Sequence, residues 1–172
     1  FKVRQPVVEA SYIVYPDDPS NPSVYYVNNG RTGQIEYSSS DASDAIQYAV
    51  NNGSRIFLRE GIYRISKSIT LRSNVFIEGE SAGVYPYDIG GSPGASARGV
   101  VLWITDTSVK HVFVASDPDK YVNNVVIKHV GVDGGGLVRF GNSGEEWGTA
   151  SAVIENVGCN ALRLYPNGTG IF

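Results

Sequence analysis

Residues 54–79 read SRIFLREGIYRISKSITLRSNVFIEG, and the spacing of apolar residues in this stretch decides the fold. Four short runs, 55–58, 63–66, 68–71 and 74–78, alternate apolar with polar residues and are separated only by turns. That alternation is the period of a strand with one buried face. Outward from the block the pattern continues at 100–104, 111–114, 125–130, 137–140, 152–157 and 162–164, with no second helix of useful length. Asn74-Val75-Phe76-Ile77, Val100-Val101-Leu102 and Asn124-Val125-Val126-Ile127 place apolar residues at 77, 102 and 127, a step of 25, and Val153-Ile154 continues the series after 27. A strand-only repeat of roughly 20–30 residues predicts a coiled parallel sheet whose turns stack, with Ile77 over Leu102 over Ile127 over Ile154. The residues from 54 onward then make four to five such turns. Asn74, Asn124, Gly134, Gly135, Asn156 and Asn160 supply corners, where tight or left-handed backbone is needed.

Upstream of the block, ASDAIQYAVN at 42–51 is the one convincing helix. Ala45, Ile46, Ala49 and Val50 form an apolar face, Asp41 or a neighbouring Ser caps the start, and Asn51-Asn52-Gly53 ends it. A coiled sheet leaves unpaired backbone groups at its end, and this helix is placed to cover them. Residues 1–37 read as an extended arm and hairpin, broken by Pro16-Asp17-Asp18-Pro19, whose acidic pair is ordinary turn chemistry. The predicted organisation is an arm at 1–37 and a coiled β domain at 38–172 with its helix at 42–51.

Composition narrows the function classes. The 172 residues include 20 Gly, 8 Pro and 11 Tyr, and 18% are charged against roughly 25% in an average domain. A net charge of -3 carries no electrostatic footprint for nucleic acid. Cys159 is the only cysteine, which excludes an intrachain disulfide and a cysteine zinc cluster. No stretch has the ~18 apolar residues of a membrane span. The absence of methionine points to a processed or excised chain, and Asn52-Gly53-Ser54 and Asn167-Gly168-Thr169 are glycosylation sequons, so Asn52 and Asn167 are candidate acceptors.

Asp44-Ala45-Ile46-Gln47-Tyr48-Ala49-Val50, the strand 55–58, Glu60-Gly61-Ile62-Tyr63-Arg64-Ile65 and Leu71-Arg72-Ser73-Asn74-Val75-Phe76-Ile77-Glu78-Gly79 follow one another in a familiar order. Together they resemble the amino-terminal capping region and first coils of the right-handed parallel β-helix, or pectin-lyase-like, superfamily. The resemblance spans 41–172 and is strongest at 44–80. It implies an all-β chain: a short right-handed parallel β-helix with an amino-terminal capping α-helix and an extended β-arm. It does not imply one activity, because the superfamily includes polygalacturonases, pectate lyases, phage tailspikes and non-catalytic surface proteins.

The polygalacturonase-like set Asn-Thr-Asp, Gly-Asp-Asp, Gly-His-Gly and Arg-Ile-Lys is missing, and Trp103-Ile104-Thr105-Asp106 matches a lyase motif only superficially. The best remaining cluster is Lys128, His129, Asp133, Arg139, Glu145 and Glu146, with Asp133, Glu145 and Glu146 as weak candidates for a paired-carboxylate site. Asp133 before three glycines, and Glu145-Glu146 between Gly144 and Gly148, read more simply as turns. His111 and His129 sit in strand patterns. No metal site or cofactor is expected; calcium would draw on Asp117 and Asp119, which offer too few of its 6–8 oxygens. Tyr85, Tyr87 and Trp147 are the candidate carbohydrate-binding aromatics.

The resulting expectation is a structural or adhesive subunit of an extracellular, cell-surface or virion surface, forming a homo-oligomer or filament and contacting polysaccharide or cell-surface glycan. Self-association is assigned to Val7, Val8, Tyr12, Ile13 and Val14 of the arm and to Ile171 and Phe172 at the open coil end. The alternative is a polysaccharide lyase or glycoside hydrolase, or a fragment of one.

Overall fold

The computed structural model describes residues 10–83, 99–115, 122–139 and 152–159. Within them the chain is mostly β, with a single helix. The strands are β1 (Tyr12–Pro16), β2 (Tyr25–Asn29), β3 (Ile35–Ser39), β4 (Arg55–Leu58), β5 (Gly61–Ile65), β6 (Ile69–Leu71), β7 (Val75–Gly79), β8 (Val100–Ile104), β9 (His111–Ala115), β10 (Val125–Asp133), β11 (Gly136–Arg139) and β12 (Ala152–Cys159). The helix α1 spans Ala42–Asn52.

From β4 onward all pairing is parallel and falls into three ladders. The first runs β4, β7, the first half of β10 and β12. The second runs β5, β8 and the second half of β10, again reaching β12. The third is β6, β9 and β11. Each passage of the chain visits the three ladders in turn, so Ile56, Ile77, Ile127 and Ile154 stack in one column, Tyr63, Leu102 and Val132 in a second, and Ile69, Phe113 and Val138 in a third. Ile56, Ile77, Ile127, Tyr63, Leu102, Ile69 and Phe113 are at most 1% exposed. Burial of each such side chain contributes about 1.5–3 kcal/mol.

This register corrects the expected series through 77, 102 and 127. Ile77 pairs directly with Ile127, and Leu102 belongs to the second ladder, beneath Val132. The step of 25 to Leu102 is a coincidence of loop length: the 20 residues between β7 and β8 lengthen that passage, so successive first-ladder positions are 56, 77, 127 and 154 rather than evenly spaced. Apolar strands of the same type are interchangeable in a sequence pattern, and only hydrogen-bonded register tells them apart. The described residues hold three full passages and the start of a fourth.

Four of the six expected corner residues have left-handed backbone; Gly135 does not, and Asn160 lies outside the described residues. Asn74, Asn124 and Asn156 have φ of 61°, 58° and 50°, and Gly134 has φ 86°. Asn124 Nδ2 donates to Asn74 Oδ1 at 3.0 Å, which ties one corner to the next. His129, at φ 58°, bends β10 so that one strand serves two ladders. Gly131 lies just beyond the bend, where an added Cβ would sit 1.7 Å from the carbonyl oxygen of Gly83; only hydrogen fits there.

The amino-terminal end is closed ladder by ladder. β1 pairs parallel with β4 and antiparallel with β2, supplying backbone to the first ladder, while β3 adds antiparallel to β2. At the second ladder the Tyr25 hydroxyl accepts from Arg64 N at 3.0 Å and donates to Ile62 O at 3.2 Å, and Ile62 N donates to Pro19 O. At the third, the Gln47 side-chain amide replaces a strand: Oε1 accepts from Thr70 N at 2.7 Å and Nε2 donates to Thr70 O at 3.1 Å. Ser43 Oγ likewise accepts from Ser66 N. Edge groups that would otherwise go unpaired are thus satisfied by side chains of α1, whose buried face is Ala42, Ala45, Ile46, Ala49 and Val50. Asp41 caps the helix start by accepting from Ser43 N at 2.8 Å, and Arg72 donates to Val50 O and Gly53 O at its end.

Gln47→Leu keeps the helix and removes both bonds to Thr70. It is expected to cost about 0.5–1.5 kcal/mol, because water replaces part of the lost bonding at this exposed edge. The urea midpoint should fall with an unchanged slope, and the Thr70 amide should exchange faster.

Candidate functional site

Because side chains alternate along each strand, fixing Ile56, Ile77, Ile127 and Ile154 inward turns their neighbours outward. One outward row is Arg55, Phe76, Val126 and Val153, and the next is Phe57, Glu78, Lys128 and Glu155. The second row continues across the amino-terminal sheet through Ile13 to Asn28. Row neighbours on adjacent strands are about 4.8 Å apart. Phe76 is 37% and Val153 53% exposed, so this face carries apolar surface to solvent.

A shallow groove of about 320 Å³ lies on the face, lined by Arg55, Phe76, Ile77, Glu78, Val126 and Lys128. Lys128 Nζ is 3.4 Å from Glu78 Oε1, both side chains being roughly one-third exposed. Such a pair contributes at most about 1 kcal/mol to stability and serves mainly to orient its partners. Further along, Tyr15 and Tyr26 lie with centroids 5.5 Å apart, the Arg59 guanidinium sits 5.7 Å from the Tyr15 ring centre, and Tyr15 Oη donates to Asn28 Oδ1. Aromatic faces beside fixed polar groups suit the apolar flank and hydroxyl rim of a sugar ring.

Glu78 and Glu155 flank Lys128 two ladder steps apart, about 10 Å at the backbone. Lys128 fills the interval with its ammonium on Glu78, so the arrangement does not hold a water between two carboxylates as an inverting glycosidase does.

The expected cluster of Lys128, His129, Asp133 and Arg139 is dispersed. Lys128 faces outward from the first ladder, His129 forms the bend with Asn156 Nδ2 3.4 Å from its Nε2, and Asp133 lies beside Trp103 on the second ladder. Arg139 ends β11 on the third ladder. The bend at His129 and the turn at Gly134 redirect the chain between them, so closeness in sequence becomes separation by face. His111 is half-buried, and that burial, with the charge of Arg139, holds its imidazole below the usual range. Asp17 is a turn residue: its Oδ1 accepts from the backbone N of Ser23, Val24 and Asp18, and these bonds, led by Ser23, hold its carboxyl below the usual range.

Glu145, Glu146, Tyr85, Tyr87, Trp147, Val7, Val8, Ile171, Phe172 and Asn167 lie outside the described residues, as do Asp117 and Asp119. Asn52 is exposed at the end of α1, where its Nδ2 donates to Tyr48 O at 2.8 Å. The arm residues require a correction. Tyr12 is 8% and Val14 0% exposed, and both edges of β1 are paired within this chain. Tyr12, Ile13 and Val14 therefore complete the chain's own sheet rather than standing free to join a neighbour's. The outward aromatics Tyr15, Tyr26, Phe57 and Phe76 went unread as a surface; strand parity, once Ile56 and Ile77 are placed inward, is the signal that finds them.

No protein-family model, curated protein or solved structure matches the chain. The class defined by fold and site is a mostly β chain of stacked parallel ladders bearing a shallow groove with aromatic, apolar and charged residues on its outward face.

Proposed function

We propose that the chain is the capping region and first coils of a right-handed parallel β-helix of the pectin-lyase-like kind, and that it serves as a structural or adhesive module of an extracellular or virion surface. Its first face holds a glycan, laid across the strands along Phe57, Phe76 and Val126 with Arg55, Glu78 and Lys128 meeting the hydroxyls. The observation that carries this reading is the groove of about 320 Å³, which runs over a rigid ladder and exposes Phe76 beside an oriented ion pair.

Affinity electrophoresis in gels containing acidic or neutral polysaccharides tests it. Retardation by at least one polymer is expected, weakened about tenfold in Phe76→Ala, the loss of one stacking contact of about 1.4 kcal/mol. No retardation by any polymer would sink the glycan assignment. Release of new reducing ends or unsaturated products would instead favour the lyase or hydrolase reading.

A further inference from the structure

We propose that the glycan on the first face is a linear chain long enough to reach a second aromatic subsite, formed by Tyr15, Tyr26 and Arg59 on the amino-terminal side of the groove. The inference rests on the glycan reading above and extends its footprint. Val14, Leu58, Tyr25 and Val27 are fully buried, so strand alternation turns Tyr15, Arg59 and Tyr26 outward, onto the same face as Phe57 and Phe76. β1 extends the first ladder past β4, and β2 extends it past β1, so that face is unbroken between the groove and the tyrosines. A hollow lined by Ala10, Arg55, Ile56, Phe57, Phe76 and Glu78 carries the groove across β4 toward them. From Phe76 to Tyr15 the path crosses two strand spacings and runs four residues along the strands, about 16 Å at the backbone, which is more than a single sugar ring spans.

Neither tyrosine ring belongs to the hydrophobic core or packs against it, so their apolar faces are not used by the fold. Both are nonetheless fixed in advance. The rings lie 5.5 Å apart with planes at 37°, Tyr15 Oη donates to Asn28 Oδ1 at 3.2 Å, and the Arg59 guanidinium stands 5.7 Å from the Tyr15 ring centre. Arg59 is exposed and makes no ion pair among the described residues, so its N–H donors remain open to an acceptor. The same pattern sets the occupant. The centre of a protein–protein contact is depleted of charge, whereas this face alternates rings with charges: Arg55, Phe57 and Arg59 follow one another outward along one stretch of chain, and Phe76 and Glu78 along β7. Ring faces set between donors and acceptors fit the C–H face and hydroxyl edge of successive sugars.

Affinity electrophoresis in gels containing acidic or neutral polysaccharides is the test, with circular dichroism to show that each variant is folded. Against a polymer that retards the wild type, Tyr15→Ala is expected to weaken retention about tenfold. Arg59→Gln, at an exposed position whose side chain the fold does not use, should weaken it about threefold. Tyr15→Ala combined with Phe76→Ala should weaken it about a hundredfold, because one chain crossing both subsites loses two separate contacts. Two unconnected sites would behave differently: each single substitution would leave the polymer held at the other, and only the double variant would lose retention. That pattern would overturn the proposal. So would wild-type retention by Tyr15→Ala and Arg59→Gln with Phe76→Ala still weakened, an outcome that leaves the groove reading standing. No retardation of the wild type by any polymer would remove both.

Discussion

Replacing Phe113 by alanine is expected to lower the unfolding free energy by about 3–5 kcal/mol. Phe113 has no exposure and lies in the third column between Ile69 and Val138. Truncation removes its transfer free energy and leaves a cavity that the stacked strands cannot close, because each is held in register by its neighbours above and below. Urea unfolding should show a lower midpoint at unchanged slope. Phe76→Ala is the internal control. The ring is 37% exposed and faces out, so its loss should cost less than about 1 kcal/mol of stability even though it weakens polysaccharide binding. Equal destabilisation by the two substitutions would mean that the inward and outward parities are misassigned.

The second large effect is alkaline. Tyr63 is fully buried, and burial, followed by the neighbouring Tyr25 and Glu80, raises its phenol well above the ordinary value near 10. Its hydroxyl lies 2.9 Å from Val14 O and 2.8 Å from Arg59 O, so a phenolate would face two carbonyl oxygens. Tyr25 is also raised, chiefly by burial, and Tyr12 is pushed up to about 12, first by its hydrogen bond to the Glu36 carboxylate. In the unfolded chain these tyrosines ionise near pH 10. Above that pH the unfolded state binds fewer protons than the native one, so stability is complete below pH 10 and declines as pH rises. Tyr63 alone should remove about 1.4 kcal/mol per pH unit above 10 until it ionises in the folded state. Denaturant titrations between pH 9 and 12 check the slope. Tyr63→Phe should reduce it, whereas a wild-type slope near zero would show that Tyr63 ionises in place.

Much of the architecture was legible locally. The strands β4, β7, β8 and β9 fall within a residue or so of the alternating runs, α1 follows from its apolar face and the Asp41 cap, and Asn74, Asn124 and Asn156 occupy the left-handed corners that short polar side chains favour. β3 was not legible, because Ile35-Glu36-Tyr37-Ser38-Ser39 has little apolar alternation and is a strand only through its pairing with β2. The capping role of Gln47 was hidden for a similar reason: a glutamine on the polar side of a helix gives no sign that a strand edge lies within reach.

By itself the amino-acid sequence determined the alternation of the strand runs, the left-handed corners at Asn74, Asn124 and Asn156 and the place of one amphipathic helix, because each depends on a side chain and its near neighbours. Only the tertiary structure decided which strand lies over which. It joined Ile77 to Ile127 rather than to Leu102, enclosed Tyr12 and Val14 within the chain's own sheet, and distributed Lys128, Asp133 and Arg139 over three faces. The physical reason is that register is set by hydrogen bonds between strands 20 to 50 residues apart, and a loop of any length can be inserted between them without altering the local pattern on either side.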